Sequence, residues 1–99
     1  MIKVTILYGP PTDPAAFEEY YRSTHAPLAD KIPGATYEWG KALPGPDGSE
    51  PPYFWLATLT FPDAAALGSA LSGPEGQAAT ADVPKFATGG ATIVLSEVN

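Results

Sequence analysis

Ninety-nine residues with 44% hydrophobic content suffice for one domain around one core, without disulfide or metal staples, and not for two. There is no cysteine, which excludes disulfides, thiolate nucleophiles and cysteine-ligated zinc or iron–sulfur sites. The formal net charge is −6, and the five basic residues (Lys3, Arg22, Lys31, Lys41, Lys85) are dispersed, so neither nucleic acid nor an anionic membrane is an expected partner.

Residues 2–8, IKVTILY, are rich in β-branched and aromatic side chains and run into Gly9-Pro10-Pro11, so a first strand is expected there. Asp13 stands where a side chain caps free helix amides, and Pro14 falls in the first turn, where no donor is needed. The helix that follows carries Phe17, Tyr20, Tyr21, Thr24 and Leu28 on one face and Glu18, Glu19 and Arg22 towards water. Pro27 removes a donor and crowds the preceding turn, so this helix should end or kink near His25–Ala26, with Ile32-Pro33-Gly34 completing the exit.

A second strand is expected over 35–43, ATYEWGKAL, and the polar loop PGPDGSEPP then closes a hairpin. Residues 53–61, YFWLATLTF, form the third strand. Asp63 caps a helix over AAALGSAL, which Ser72-Gly73-Pro74 interrupts. A shorter helical piece, EGQAATAD, follows and should stop at Val83-Pro84, before Gly89-Gly90 leads into a last strand, ATIVLSEV. The order β-α-β-β-α-β is the ferredoxin-like pattern: an α+β chain with a four-stranded antiparallel sheet, helices on one face, and a single domain over residues 1–99. No apolar run is long enough to span a bilayer, and MIKVTILYG is too short for a signal-peptide core with its cleavage site, so a cytoplasmic location is expected.

The second face of the sheet raises a question of its own. Ile2, Val4, Ile6 and Tyr8 alternate with Lys3, Thr5 and Leu7; Tyr53, Trp55, Ala57, Leu59 and Phe61 alternate with Phe54, Leu56, Thr58 and Thr60. Neither face of the third strand is polar throughout, as a solvated face would be. Pairing with the sheet of an identical subunit accounts for this.

His25 is the only histidine. It lies one helical turn beyond Tyr21, so the two side chains share a face. A helix C-terminus would favour the imidazolium, and burial the neutral ring. Either way the group titrates near neutrality and suits proton transfer beside a carbonyl. By freeing the Ser23 carbonyl and fixing the chain's exit, Pro27 would aim the ring at a cavity; the plainer reading has His25 bonding a free carbonyl at the helix end. Tyr37 and Trp39 share a face of the second strand, and Tyr53 and Trp55 a face of the third; whichever faces the helices would hold flat apolar ligands, and parity does not choose. Glu38 is a candidate carboxylate partner, with an outward direction the simpler expectation. One histidine among scattered carboxylates makes no metal site, and the glycines form no phosphate loop.

The stretches YGPPTDP, FEEYYRSTHAPLADKIPG and PYFWLATLTFPD, with H-A-P-L at His25–Leu28 and D-V-P-K-F at Asp82–Phe86, resemble the EthD family over essentially the whole chain. That resemblance implies a dimeric α+β barrel, in which two ferredoxin-like subunits set their sheets face to face, and a pocket between sheet and helices in each. Related barrels carry out cofactor-free isomerisation, cyclisation, decarboxylation or oxygenation of hydrophobic carbonyl compounds, and others bind haem. A histidine at the end of the first helix acts as acid or base in some of them. The resemblance thus implies a homodimer that takes a hydrophobic small molecule and needs no cofactor, with His25 as the acid or base; from the residues themselves, Tyr21 is the candidate to assist it, and Tyr37, Trp39, Tyr53 and Trp55 are the candidate binding walls. Two alternatives stay open beside the enzyme: a non-catalytic carrier or accessory protein of a degradative pathway, and a haem protein ligated by His25.

Overall fold

Alternation along β1 (Ile2–Tyr8) decides which side of the protein is core. In the computed structural model, which describes residues Met1–Asn99, Val4 and Tyr8 are buried beneath the helices. β1 is a central strand, flanked by β3 (Trp55–Phe61) and β4 (Ala91–Glu97), and β2 (Thr36–Lys41) pairs on the far side of β3. Every neighbouring pair in the order β2-β3-β1-β4 is antiparallel. The chain therefore has the ferredoxin-like α+β fold that its element order announces.

Register places Tyr37, Leu59, Val4 and Leu95 in one row across the inner face, and Trp39, Ala57, Ile6 and Ile93 in the next. Tyr37 and Trp39 of one stripe and Trp55 of the other thus face the helices, the point that parity alone left open. The third strand is shorter than expected: it begins at Trp55, and Tyr53 precedes it. The second likewise contracts from 35–43 to Thr36–Lys41.

Asp13 caps α1 (Pro14–Tyr20) by accepting from the Ala16 amide at 3.1 Å, with Pro14 in the first turn. Asp63 does the same for α3 (Ala64–Ser72), accepting from Ala66 at 2.8 Å. The expected end or kink near His25–Ala26 is a change of pitch and not an end: a π turn (Tyr21–His25) carries the helix into α2 (Ala26–Ala29). One expected helix end is overturned. The last helix, α4 (Pro74–Phe86), runs through Pro84 and not only to Asp82. Pro84 costs α4 one amide donor, and the packing of its buried residues Ala79, Asp82 and Phe86 outweighs that loss.

The core divides into an aliphatic cluster around Val4, Ile32, Leu59 and Phe61, and an aromatic one around Tyr8, Phe17, Tyr21, Trp55 and Phe86. β4 is covered loosely, since Ile93 and Leu95 point to the helix side yet remain 57% exposed. On the outer face, Leu7 lies opposite Leu56, and Thr5 lies between Thr58 and Val94.

Candidate functional site

The site begins with a helix that holds one residue more than an α-helix would. The Ala26 amide donates to the Tyr21 carbonyl, five residues back. Pro27 follows and needs no donor there, because it occupies the first turn of α2. The wide turn absorbs the proline that was expected to end the helix. It also resets the buried stripe, which runs Phe17, Tyr21, His25 and Ala29. Positions four apart drift by roughly 40° per step on an α-helix of 3.6 residues per turn, and the π turn corrects that drift. Thr24, expected on the core face, is exposed, and His25 takes its place.

His25 is 3% exposed and Asp82, on α4, is 4% exposed. The imidazole Nδ1 lies 3.0 Å from Asp82 Oδ2. An ionised carboxylate only accepts, so Nδ1–H donates to it and the lone pair resides on Nε2, which has no protein partner. The Tyr20 hydroxyl donates to Asp82 Oδ1 at 2.6 Å, holding the carboxylate from its other side and raising its own pKa. Burial lowers the His25 pKa below 6.5, and the hydrogen bond and charge of Asp82 offset this only in part. Neutral His25, with Nε2 available, is a base at neutral pH.

The Tyr21 and Tyr37 hydroxyls lie 2.5 Å apart. Burial, then the Tyr37 hydroxyl, drives the Tyr21 pKa far above 10, and burial pushes Tyr37 up to about 12. Both therefore remain neutral phenols with protons to donate.

His25, Tyr21 and Tyr37 line one cavity of about 400 Å³, which draws residues from both core clusters and is bounded by Ile93 and Leu95 of β4. Apart from these groups and Thr80 the wall is apolar, and no Lys, Arg, Asp or Glu lines it. Trp39, Tyr53 and Trp55 do not line it. Trp55 is fully buried behind Tyr21, with ring centroids 5.3 Å apart, and stacks on Trp39 at 5.8 Å. Tyr53 sits outside the strand, partly exposed. Glu38 is exposed and turned from the helices, so the buried carboxylate is Asp82, which the sequence reading had passed over. A signal for it was present: Ala79, Asp82 and Phe86 fall at spacings of three and four, on one helix face. No group of three His, Cys, Asp or Glu side chains gathers as a metal site.

The EthD domain family matches residues 9–90. This chain belongs to the EthD family. A Rhodococcus erythropolis relative is 43% identical over 97 residues, covering 98% of this chain and 94% of that protein; it is described as an uncharacterized 11.0 kDa protein in the thcB–thcC intergenic region. The crystal structure of an EthD family protein from Bacillus halodurans is 33% identical, with TM-score 0.91 over 100% of this EthD chain and 99% of that one. More distant structures share the fold. A dimeric ferredoxin-like protein from Jannaschia is 22% identical, with TM-score 0.72 over 98% of each chain. SnoaB of Streptomyces nogalater, a cofactor-independent oxygenase, is 17% identical, with TM-score 0.65 over 98% of this chain and 91% of that one.

Proposed function

We propose that this EthD protein is a small enzyme that needs no cofactor and moves a proton on a hydrophobic, carbonyl-containing molecule held in the cavity. The observation that carries this reading is the buried His25–Asp82 pair, which leaves Nε2 as a free base at an apolar cavity. Asp82 fixes the ring's tautomer and orientation, and Tyr20 fixes Asp82. Tyr21 assists from the other polar end. A proton beside a carbonyl becomes removable when a base meets it at hydrogen-bond range and the developing oxyanion finds donors, and the site offers both kinds of group. The fold shared with SnoaB is consistent with chemistry of this class.

The test is a turnover screen with aromatic ketones and lactones, repeated with His25→Ala. Turnover should vanish in the variant while circular dichroism shows the fold retained; a variant that keeps its activity sinks the assignment. A second reading, a non-catalytic carrier, is favoured by the almost wholly apolar wall, since such a wall binds without any help from His25. It predicts ligand affinity unchanged in His25→Ala and no turnover by either protein.

The protein is further proposed to work as a homodimer joined through the outer face of the sheet. Leu7, Leu56 and Val94 lie on that side among threonines, and the Jannaschia relative in fold is dimeric. Each subunit would then keep its own cavity on the helix side.

A further inference from the structure

The cavity has a direction. Across the inner face of the sheet, Tyr37 on β2, Leu59 on β3, Val4 on β1 and Leu95 on β4 stand in one row, and all four line it. Neighbouring strands lie about 4.8 Å apart, so three steps make a trough about 14 Å long. Its ends differ. On β2, the Tyr37 hydroxyl is bonded to that of buried Tyr21, whose ring lies 5.0 Å from that of His25. On β4, the wall is Leu95 with its neighbour Ile93, each 57% exposed, and Leu71 of α3 joins them at 38%. Thr80 is the one other polar side chain on the wall, and its hydroxyl donates to the Gly76 carbonyl of its own helix at 2.8 Å. The trough therefore runs from a polar end to an apolar end that water reaches.

We infer that this shape selects an elongate ligand: an unbranched chain with its polar function at one end, seated head-first at Tyr21, Tyr37 and His25, its alkyl tail leaving over Ile93 and Leu95 of β4 beside Leu71 of α3. An extended chain advances roughly 1.2 Å per bond, so about a dozen bonds fill the trough. A compact ring system would occupy the polar end and leave the aliphatic end wet, whereas a chain covers both. Apolar side chains gathered in water at the opening of a cavity are unfavourable in the free protein, and a tail laid on them removes that surface from water.

This inference rests on the reading of the cavity as a ligand site, and it adds the length of the ligand and the residues that measure it. Leu71, Ile93 and Leu95 determine specificity and touch no reacting atom. A dimer joined through the outer face of the sheet leaves this inner side of β4 open to the tail.

The experiment measures binding alone, so its outcome is separate from catalysis by His25. A protein that binds long chains without turnover keeps this inference and loses the enzyme; one that turns over compact ketones and ignores chain length does the reverse. Affinities of the straight-chain methyl ketones from 2-hexanone to 2-tetradecanone are taken by calorimetry or by the shift of the single histidine ring resonance. They should tighten by about fourfold per methylene as far as roughly 2-dodecanone, then level off once the tail has passed Leu95. A 2-dodecanone bearing a carboxylate at the far end of its chain should bind within about threefold of the parent ketone, because its charge emerges into water. Levulinate, whose carboxylate would stay inside, should bind more weakly than 2-pentanone. The double variant Ile93→Thr, Leu95→Thr, both at exposed positions, should flatten the long end of the series, so that 2-dodecanone loses about tenfold and 2-hexanone far less. Affinity that levels off before 2-octanone (as a second copy lying on β4 would also cause), equal losses along the series in the variant, rejection of the terminal carboxylate, or no binding of any member overturns the inference.

Discussion

At the scale of single residues, the protein holds a titratable pair where burial and charge oppose each other. For His25 burial wins, so its folded pKa lies below 6.5 and the unfolded chain takes up a proton first on acidification. The stability that depends on neutral His25 is therefore fully present above about pH 6.5 and is lost as pH falls towards the folded pKa. Urea midpoints measured from pH 7.5 downwards should fall in this window, and His25→Gln should flatten that part of the profile. Asp82→Asn makes the complementary case. It removes the charge that props up the imidazole, so the lone histidine resonance should titrate at lower pH than in the parent protein. The loss of a buried charge-assisted hydrogen bond should cost about 1–3 kcal/mol of stability. A resonance that titrates higher in the Asn variant would mean that Asp82 does not act on His25 as the 3.0 Å contact implies.

At the scale of elements, both helices that frame the cavity tolerate a proline by spending it where the chain changes pitch or packing. Pro27 falls beyond a π turn that delivers His25 to the core; Pro84 lies on α4 beside Val83, and both residues line the cavity. The corner between α3 and α4 has its own constraint. A Cβ on Gly76 would collide with the Ala70 carbonyl and come within 2.8 Å of Leu71 Cα. Helix propensity alone favours Gly76→Ala by up to about 1 kcal/mol. Because the obstacle is backbone, overpacking should prevail and the variant should lose about 1–3 kcal/mol in urea unfolding. A stabilised variant would show that the corner opens freely.

At the scale of the molecule, the sheet has a covered side and an uncovered one. Leu56 is 36% exposed on the outer face, opposite Leu7. If that face joins two copies, the parent protein should scatter light as a dimer, and Leu56→Lys should scatter as a monomer with unchanged circular dichroism. A parent protein that is already monomeric removes the homodimer from consideration. Val94 extends the same face at 47% exposure, and Val94→Lys should act in the same direction.

Local periodicity carried much of this protein into view before any coordinates. The two-residue alternation of β1 and β3 and the caps at Asp13 and Asp63 depend on neighbours within a few positions, so the ferredoxin-like order was legible in the chain itself. His25 and Tyr21 were legible as a pair for the same reason, being one turn apart. The end of the first helix was not, because Pro27 breaks or spares a helix according to whether a wider turn can be packed against the sheet. The Asp82 carboxylate lies 57 positions from the histidine it orients, and the Tyr37 hydroxyl 16 from Tyr21. No local pattern records such pairings, since only the folded sheet and helices bring them within hydrogen-bond range. Trp39 and Trp55 show the converse: their strands could be read, but whether they touched a ligand or stood behind Tyr21 depended on where the helices left room. The sequence by itself determined the elements and the one imidazole; tertiary structure decided its partner, its tautomer and the cavity it meets, because those are set by contacts between segments remote in the chain.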